Sequence, residues 1–313
     1  MTPSQVQPLP LVSIVTPSYN MAQYLPHTLE SVLSQDYPNI EYIVMDGGSS
    51  DGTLEILERY QGRLRYISAP DNGAADAINR GFALSRGEII GWLNADDTYL
   101  PGAITAAVHR LMEEPDIAAV YGHAYWVDEK GVILKPYPTR SYTPEMLAHD
   151  CYICQPACFM RRAVFEAAGG LDTSLQSSFD YDLWMRLARR GAFATILDYL
   201  ATSRMHRENK TLSNRGRVFR EGFLLLGRHY GYIPFHWIHS YISYRRDNRD
   251  QYYEPLQPTI VNYLLSLPIG LVHNWRHGLR YFREWLGVIN YSAAIRSWQR
   301  SWLGRMLQRS RRS

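Results

Sequence analysis

Short apolar runs and amphipathic segments alternate along the first third of the chain. The apolar runs predict strands at Leu11–Thr16, Ile40–Met45, Leu64–Ser68 and Ile89–Leu93. Apolar residues at helical spacing predict helices at Tyr24–Ser34, Thr53–Tyr60, Ala74–Ser85 and Gly102–Glu114. Because helices join consecutive strands, this part of the chain should form right-handed crossovers around parallel strands, with helices on both faces of the sheet.

The order of elements changes after Asp116. Strands are predicted at Ala118–Gly122, Ala124–Val127, Val132–Leu134, Ala157–Met160, Phe193–Leu197 and Leu200–Met205. Two helices are predicted among them, at Ala163–Ala168 and Asp180–Arg190. We therefore expect residues 11–212 to form one α/β domain with a mixed sheet, after a flexible leader at residues 1–10.

The last third of the chain has a different composition. Helices rich in Tyr, Trp, His and Arg are predicted at Arg217–His229, Pro234–Arg245, Pro258–Leu267, Val272–Leu286 and Ala293–Arg309. From Arg276 to the end, Glu284 is the one acidic residue among arginines. Residues 213–313 are thus predicted to form a basic, aromatic helical region that contacts an anionic membrane surface; a cap packed on the domain and an oligomer contact are the alternatives.

The net charge, the cysteines and the longest apolar run limit the partners, the metal sites and the cellular location to consider. A formal net charge of +3 does not indicate a nucleic acid partner. Cys151, Cys154 and Cys158 form an odd cluster without an obvious fourth zinc ligand, so we expect ordinary buried thiols. No signal-peptide pattern is visible, and the longest apolar run, Tyr263–Val272, is too short to span a bilayer. These features predict a cytoplasmic location, at the inner face of the membrane.

Polar loops follow the first, second and fourth predicted strands, at Thr16–Asn20, Asp46–Asp51 and Asn94–Asp97. Because the carboxyl ends of parallel strands meet at one edge of a sheet, these loops should lie together there. Two adjacent carboxylates such as Asp96 and Asp97 suit Mg²⁺ or Mn²⁺, which can hold a substrate diphosphate; an ordinary surface turn is the alternative. The chain contains no G-x-G-x-x-G after the first strand and no P-loop, which disfavours a dinucleotide dehydrogenase and a P-loop NTPase.

An ordered set of motifs resembles the family 2 glycosyltransferases, inverting enzymes of the GT-A fold. The motifs are Val12–Asn20, Ile43–Thr53, Asn94–Asp97, Cys154–Ala157, Gly169–Asp172, Asp180–Trp184 and His206. Each motif by itself is weak evidence for this family, but the order of the motifs and the distances between them over residues 11–213 are specific to it. Two departures stand out: Phe179 replaces the glutamate usual before Asp180, and Ile78 replaces a frequent arginine. They leave a non-catalytic nucleotide-sugar-binding protein on a degenerate GT-A scaffold as the alternative.

The resemblance implies a nucleotide-diphospho-sugar transferase with a Rossmann-like GT-A mixed sheet, helices on both faces and a C-terminal helical extension. The donor would be a nucleotide-diphospho-sugar, most readily UDP-linked. The acceptor would be a hydroxyl of a glycan or lipid-linked glycan in cell-surface polysaccharide synthesis.

The resemblance also assigns roles to individual residues. It implies donor binding by Thr16, Pro17, Tyr19, Asp46, Asp76, Asn79, Asn94 and Asp96, with Arg80 as a substitute for the missing arginine. Asp97 and His206 would hold Mn²⁺ or Mg²⁺. Asp180 would be the catalytic base that takes a proton from the acceptor hydroxyl, because a sugar hydroxyl is a poor nucleophile until it is deprotonated.

Overall fold

The structure is a computed structural model that describes residues 9–206, 209–247 and 259–288. Most of the predicted leader and the predicted helix at Ala293–Arg309 lie outside the described residues. The chain divides into two compact units, Met1–Glu221 and Gly222–Ser313. The first unit is an α/β domain, and the described part of the second is helical.

A mixed sheet forms the first unit. Its strands are β1 (Val12–Ser18), β2 (Ile40–Asp46), β3 (Arg65–Ser68), β4 (Ile89–Trp92), β5 (Thr98–Tyr99), β6 (Ala119–Val127), β7 (Ile133–Pro136), β8 (Cys158–Arg161) and β9 (Phe193–Arg204). Their order is β3-β2-β1-β4-β8-β6-β9-β5, with β7 paired to β6. The first four strands are parallel to one another, whereas β8 is antiparallel to both of its neighbours. The predicted mixed sheet is confirmed.

The helices of this unit lie close to their predicted positions. They are α1 (Leu25–Leu33), α2 (Thr53–Arg59), α3 (Ala74–Leu84), α4 (Ala103–Glu113), α5 (Pro144–Leu147), α6 (Arg162–Ala167), α7 (Phe179–Leu187) and α8 (Lys210–Ser213), and α9 (Arg215–Tyr230) contributes residues to both units. The sequence pattern did not predict β5, α5 or α8, because two- and four-residue elements carry no readable periodicity.

Helices cover both faces of the sheet, because alternate residues of β1 point to opposite sides. Val12 and Ile14 belong to the apolar core that includes buried residues of α1 and α4. Val15 faces the other side, where α3 packs so closely that a Cβ on Gly81 would lie 2.5 Å from Val15 Cγ1. The predicted layering is thus confirmed.

Two long strands were each predicted as a pair of shorter ones. β6 and β9 run without interruption, but their register shifts between Tyr121 and Ala124. Gly122 sits at this irregularity, where a Cβ would lie 2.4 Å from Leu200 Cγ. The bulge breaks the alternation of inward and outward side chains, so the sequence pattern wrongly indicated a gap in each strand.

The second unit is built from helices. Besides the end of α9 it contains α10 (Phe235–Asp247), α11 (Ile260–His273), a 3₁₀ turn (Trp275–His277) and a helix over residues 278–288, here α12. The helix predicted at Pro258–Leu267 continues through Pro268 to His273. In the described parts of the chain, no helix is both long and apolar enough to cross a bilayer.

The packing of α3 against β1 generates the first prediction. Gly81→Ala should lower the unfolding free energy by about 1–3 kcal/mol, because the new Cβ would overlap Val15 and Met45. Gly216→Ala is the matched control in a helix of the same unit, since a Cβ there meets nothing within 4 Å. Thermal and denaturant unfolding measure both variants. Equal midpoints for the two variants would contradict the proposed contact.

Candidate active site

Three loops meet at one edge of the sheet, which we call the carboxyl edge: the edge where β1, β2 and β4 end. Ser18 pairs with Asp46, and Val15 pairs with Trp92, so the three strands end side by side. Asn20 ties the first two loops together, since its backbone N–H donates to Ser49 Oγ and its Oδ1 accepts from Ser50 N. The expected convergence of these loops is confirmed.

Asp46 is buried at the end of β2 and its carboxylate shapes the loop that follows. Oδ2 accepts hydrogen bonds from Gly48 N at 3.1 Å, from Ser49 N at 3.0 Å and from Ser68 Oγ at 2.6 Å. Oδ1 accepts from Ser49 Oγ at 2.5 Å. The carboxylate therefore fixes the tip of the loop at Gly47 and Gly48.

The tip of this loop lies in a narrow space beside Tyr19. A Cβ on Gly47 would lie 2.8 Å from Asp71 Oδ2 and 3.3 Å from the Tyr19 ring. The Tyr19 side chain is 61% exposed, so one face of an aromatic ring is open to solvent here. Ser18 Oγ is buried at the same edge and has no hydrogen-bond partner in the described part of the chain. An exposed ring with an unpaired hydroxyl nearby is suited to binding a planar polar ligand.

The loop after β4 holds two buried carboxylates next to each other. Asp97 Oδ1 accepts from the backbone N of Arg204 at 2.9 Å, and Asp97 Oδ2 accepts from Asn94 Nδ2 at 3.2 Å. Asp96 Oδ2 lies 2.9 Å from His206 Nε2. The Arg204 guanidinium donates to Asp96 O at 2.8 Å, so the end of β9 holds the pair in place.

The electrostatics of this pair favour a cation. Burial raises the pKa of Asp97 well above its usual value, and the negative charge of Asp96 raises it further. No three His, Cys, Asp or Glu side chains among residues 9–206, 209–247 and 259–288 form a ready cation cage. Mg²⁺-type ions are commonly held by one or two carboxylates with substrate phosphates and water. The carboxylate oxygens at Asp96 and Asp97 fit an ion of that type.

A chain of contacts connects the acid pair to α7. Asn94 Nδ2 also lies 3.2 Å from Gln155 Oε1, and Gln155 Nε2 donates to Trp92 O at 2.8 Å. The Trp92 ring stacks on that of Trp184, with 5.7 Å between ring centroids. Trp184 belongs to α7, whose first turn carries Asp180.

The Asp180 carboxyl lies in the first turn of α7, the helix that carries Trp184. Burial raises its pKa to about 6, although the backbone N–H groups of Tyr181 and of Asp180 itself stabilise the ionised form. Burial also raises the pKa of the Cys154 thiol, and the charges of Asp97 and Asp180 add to the rise. The contacts through Gln155 and the two tryptophans thus connect the loop of Asp97 to the helix that carries Asp180.

A protein-family model matches the part of the chain that builds this site. The family described as Glycosyl transferase family 2 matches residues 13–169, half of the chain. The chain belongs to glycosyl transferase family 2. It is therefore a glycosyltransferase, which confirms the family inferred from the motifs.

One relative and two solved structures extend this finding. A chondroitin synthase from Escherichia coli is 30% identical over 238 residues, which are 72% of this chain and 34% of that protein. The chain thus spans about a third of that relative. TarS 1-349 of S. aureus in complex with UDP-GlcNAc has a TM-score of 0.58 at 16% identity, covering 84% of this chain and 81% of TarS 1-349. Mannosyltransferase PcManGT from Pyrobaculum calidifontis, in complex with GDP-Man and Mn²⁺, has a TM-score of 0.54 at 17% identity, covering 91% of this chain and 80% of PcManGT. The two structures show the GT-A fold for this glycosyltransferase.

Some residues that the motifs assign to donor binding already form hydrogen bonds with other residues of the protein. Thr16 is fully buried in β1 and lies 3.0 Å from Tyr42 OH, and Pro17 is buried beside it. Asp76 accepts from Asn72 N at 3.0 Å at the start of α3, and Arg80 donates to Pro70 O. These contacts support the loops at the carboxyl edge, and a direct contact with a donor stays a prediction.

Asn79 and His206 are likewise engaged. Both polar atoms of the Asn79 amide bond to the backbone of Leu171 at 2.9 Å. His206 Nε2 bonds to Asp96, and its ring lies 4.9 Å from that of Tyr24. In this arrangement His206 orients Asp96, so its predicted role as a metal ligand would require the ring to exchange partners.

Other sequence expectations about side chains can be compared directly. Cys154 and Cys158 are buried free thiols, as predicted, while Cys151 is partly exposed. Asp182 pairs with Arg186, with 2.7 Å between Oδ2 and Nε. Trp184 is fully buried in the core. Asp182 and Trp184 therefore have structural roles within α7 and the core.

The sequence pattern did not predict a role for Glu221, a buried residue of α9. Its carboxylate accepts hydrogen bonds from the backbone N–H groups of Gln176, Ser177 and Ser178 at 3.0, 2.9 and 2.8 Å. These residues lead directly into α7, so Glu221 fixes the start of the helix that carries Asp180. Its charge also raises the pKa of Asp180. Nothing in the sequence signals this contact, because more than 40 residues separate the partners.

Glu221→Gln tests this contact. Loss of the negative charge should lower the pKa of Asp180, and loss of strong acceptor oxygens should speed amide exchange at residues 176–178. Carbon-detected NMR titration of labelled aspartates measures the pKa, and hydrogen exchange measures the loop. Glu166→Gln, which removes an exposed acid, is the control. An unchanged pKa with unchanged exchange would show that Glu221 does not hold the Asp180 turn.

Proposed function

We propose that this family 2 glycosyltransferase moves a sugar from a nucleotide-diphospho-sugar, UDP-linked in the first instance, to a hydroxyl of a glycan or lipid-linked glycan, with inversion at the anomeric carbon. The observation that carries the proposal is the series of contacts that connects the loop of Asp96 and Asp97, through Gln155 and the stacked Trp92 and Trp184 rings, to the helix that carries Asp180. One carboxylate pair suited to a cation and one separate carboxyl at a single site fit the two sides of a displacement reaction.

The carboxyl edge is the donor side of the proposed site. The Tyr19 ring and the Gly47 backbone would contact the base of the donor. Asp46 would hold the loop at Gly47 and Gly48 in position for that contact. Asp96 would reach the ribose, and Asp97 would hold Mn²⁺ or Mg²⁺ together with the diphosphate. Such an ion neutralises the charge that develops on the departing diphosphate. The TarS and PcManGT complexes contain UDP-GlcNAc and GDP-Man with Mn²⁺, respectively, which supports a donor of this class.

Asp180 is the base on the acceptor side. The acceptor oxygen forms a bond to the anomeric carbon while the bond from that carbon to the diphosphate oxygen breaks, and the diphosphate leaves with the electron pair. Asp180 accepts the proton of the attacking hydroxyl. Its position in the first turn of α7, fixed through Glu221, limits its freedom to move. The missing glutamate at Phe179 therefore does not remove the group that performs the proton transfer.

Asp180→Asn should reduce turnover by about 10²–10⁴-fold, since the amide cannot accept the proton. Donor binding should persist, and thermal stability at pH 7.5 should not fall, because the variant removes a charge whose burial is unfavourable. Nucleotide release and calorimetric donor titration measure the two effects. Asp198→Asn, at an exposed position, is the control. A turnover near that of the wild type would exclude Asp180 as the base.

The rate of sugar transfer should fall as the pH is lowered. The pKa of Asp180 is about 6, so the carboxylate is ionised and can accept a proton above that pH. Below it, protonation removes the base, and the rate should fall about tenfold per pH unit. Initial rates measured between about pH 4 and pH 7 follow this decrease. A rate that stays constant well below pH 6 would contradict the assignment.

The cation proposal is tested by a thermal-shift panel of UDP-, GDP- and dTDP-sugars with and without Mn²⁺. At about a hundred times Kd, a bound donor adds about 2.7 kcal/mol to stability, which raises Tm by several degrees. One nucleotide class should give this rise, and only with Mn²⁺. Asp97→Asn should lose the Mn²⁺-dependent part, whereas Asp180→Asn should keep it. An equal rise without Mn²⁺ would contradict a role for the cation in donor binding.

A further inference from the structure

The second unit contains a helix whose polar and apolar faces are reversed. The buried residues of α11 are Asn262, Tyr263, Ser266 and Gly270. The exposed residues of α11 include Ile260, Val261, Leu264, Leu265 and Val272. A surface helix of a soluble protein normally buries its apolar stripe and exposes polar residues. In α11 the apolar stripe faces outward, with Ile260 78% exposed and Val272 73% exposed.

Hydrogen bonds fix α11 in this orientation. Asn262 Nδ2 donates to Asp247 Oδ2 at 2.6 Å and lies 3.2 Å from Ser243 Oγ, while Asn262 Oδ1 accepts from Arg246 at 2.8 Å. At the other end, the amide of Asn274 bonds to both the N–H and the carbonyl of Ile233. Turning the apolar face inward would break this buried network, which makes the reversal a stable feature of the unit.

Helix α12 packs closely on the polar face of α11. The rings of Tyr263 and Trp285 stack with 4.4 Å between centroids, and each residue donates a hydrogen bond to the backbone of the other. Tyr281 OH donates to Ser266 O at 2.9 Å, and its ring occupies the space that a Cβ on Gly270 would take. The two helices and the turn between them thus form one unit, which we call the α11–α12 hairpin.

The hairpin carries exposed apolar side chains on both helices and on the turn between them, and we call this set its apolar face. The face comprises Ile260, Val261, Leu264, Leu265, Val272, Trp275, Leu279, Phe282 and Leu286. Residues 275, 279, 282 and 286 follow helical spacing, so the exposed apolar residues of the turn and of α12 lie along one stripe. Trp275 lies at the turn, 74% exposed. Nine exposed apolar side chains within one pair of helices indicate an interaction surface.

The charges beside this face are positive. Arg276, Arg280 and Arg283 lie in the turn and in α12, and Arg276 lies 4.8 Å from the Trp275 ring. Glu284 is the single acid from residue 259 to the end of the sequence. Its carboxylate is engaged within the unit, since it accepts from Tyr232 OH and from Phe235 N. The charge that remains at the hairpin surface is therefore basic.

We propose that the apolar face of the α11–α12 hairpin inserts into the interface of an anionic membrane, with its arginines on the lipid phosphates. Leucine, isoleucine and tryptophan side chains suit the boundary between headgroups and acyl chains, and arginines add electrostatic attraction to anionic lipids. A second copy of the chain is a poorer occupant, because a two-fold contact would bring the same arginines against each other. This surface is independent of the chemistry at the carboxyl edge.

Flotation of the full-length chain with phosphatidylcholine vesicles, with and without phosphatidylglycerol, tests the proposal. The wild type should float with the anionic vesicles, and added salt should weaken the binding. Leu264→Gln combined with Leu279→Gln should lower the partition coefficient at least about tenfold, because two exposed leucines no longer enter the interface. Leu197→Gln, at a leucine 79% exposed on β9, is the matched control and should float like the wild type.

The possible results distinguish a membrane from a second copy of the chain as the partner of this face. Failure of the wild type to float with anionic vesicles would overturn the proposal, as would equal flotation of the double variant. Sedimentation showing a wild-type dimer that the double variant loses, without vesicle binding, would assign the face to a second copy. Thermal unfolding checks that the variants are folded. If the double variant is destabilised, Ile260→Gln with Val272→Gln replaces it, with the same expected loss of flotation.

Discussion

The placement of two adjacent carboxylates in a buried loop is the constraint on which the first unit depends. Asp96 and Asp97 repel each other, and burial removes the water that would otherwise screen them. The end of β9 offsets this repulsion, since Arg204 donates its backbone N–H to Asp97 and its guanidinium to the carbonyl of Asp96. The same guanidinium also bonds to the carbonyls of Asp128 and Glu129. The last strand of the sheet is therefore tied to the loop after the fourth.

This arrangement explains why the second half of the domain is antiparallel in part. A sheet made only of β1 to β4 would leave the acid pair at an open edge. β8 pairs antiparallel with β4, β6 follows, and β9 runs beside β6 to bring Arg204 and His206 back to the pair. Gln155, just before β8, links Asn94 to the backbone of Trp92. The mixed sheet thus adds a second wall to the site, beside the loops that follow the parallel strands.

The two kinds of carboxyl in the site are distinguished by their surroundings. Asp97 is flanked by a second acid, which suits a cation, whereas Asp180 stands at a helix start with backbone N–H groups that stabilise its ionised form. Glu221 adds a negative charge beside Asp180 and fixes the turn that carries it. A carboxyl with a pKa near 6 is ionised at neutral pH yet basic enough to accept a proton, which is the balance that a general base needs. In the second unit, polar side chains such as Asn262 hold the helices together and leave the apolar residues outside.

Much of this protein was determined by local sequence. Apolar runs and helical spacing gave the positions of most of the longer elements of the first unit, although β6 and β9 were each predicted as two strands. The motifs from Val12 to His206 indicated the family and the acids at the carboxyl edge. Only the tertiary structure decided which polar atoms are already engaged: Asn79 with Leu171, His206 with Asp96, and Glu221 with the turn before α7. It also decided which face of α11 is buried. The physical reason is that periodicity reports the contrast between the faces of one segment, whereas these contacts join residues far apart in the chain, and no local pattern records which partner satisfies a buried polar group.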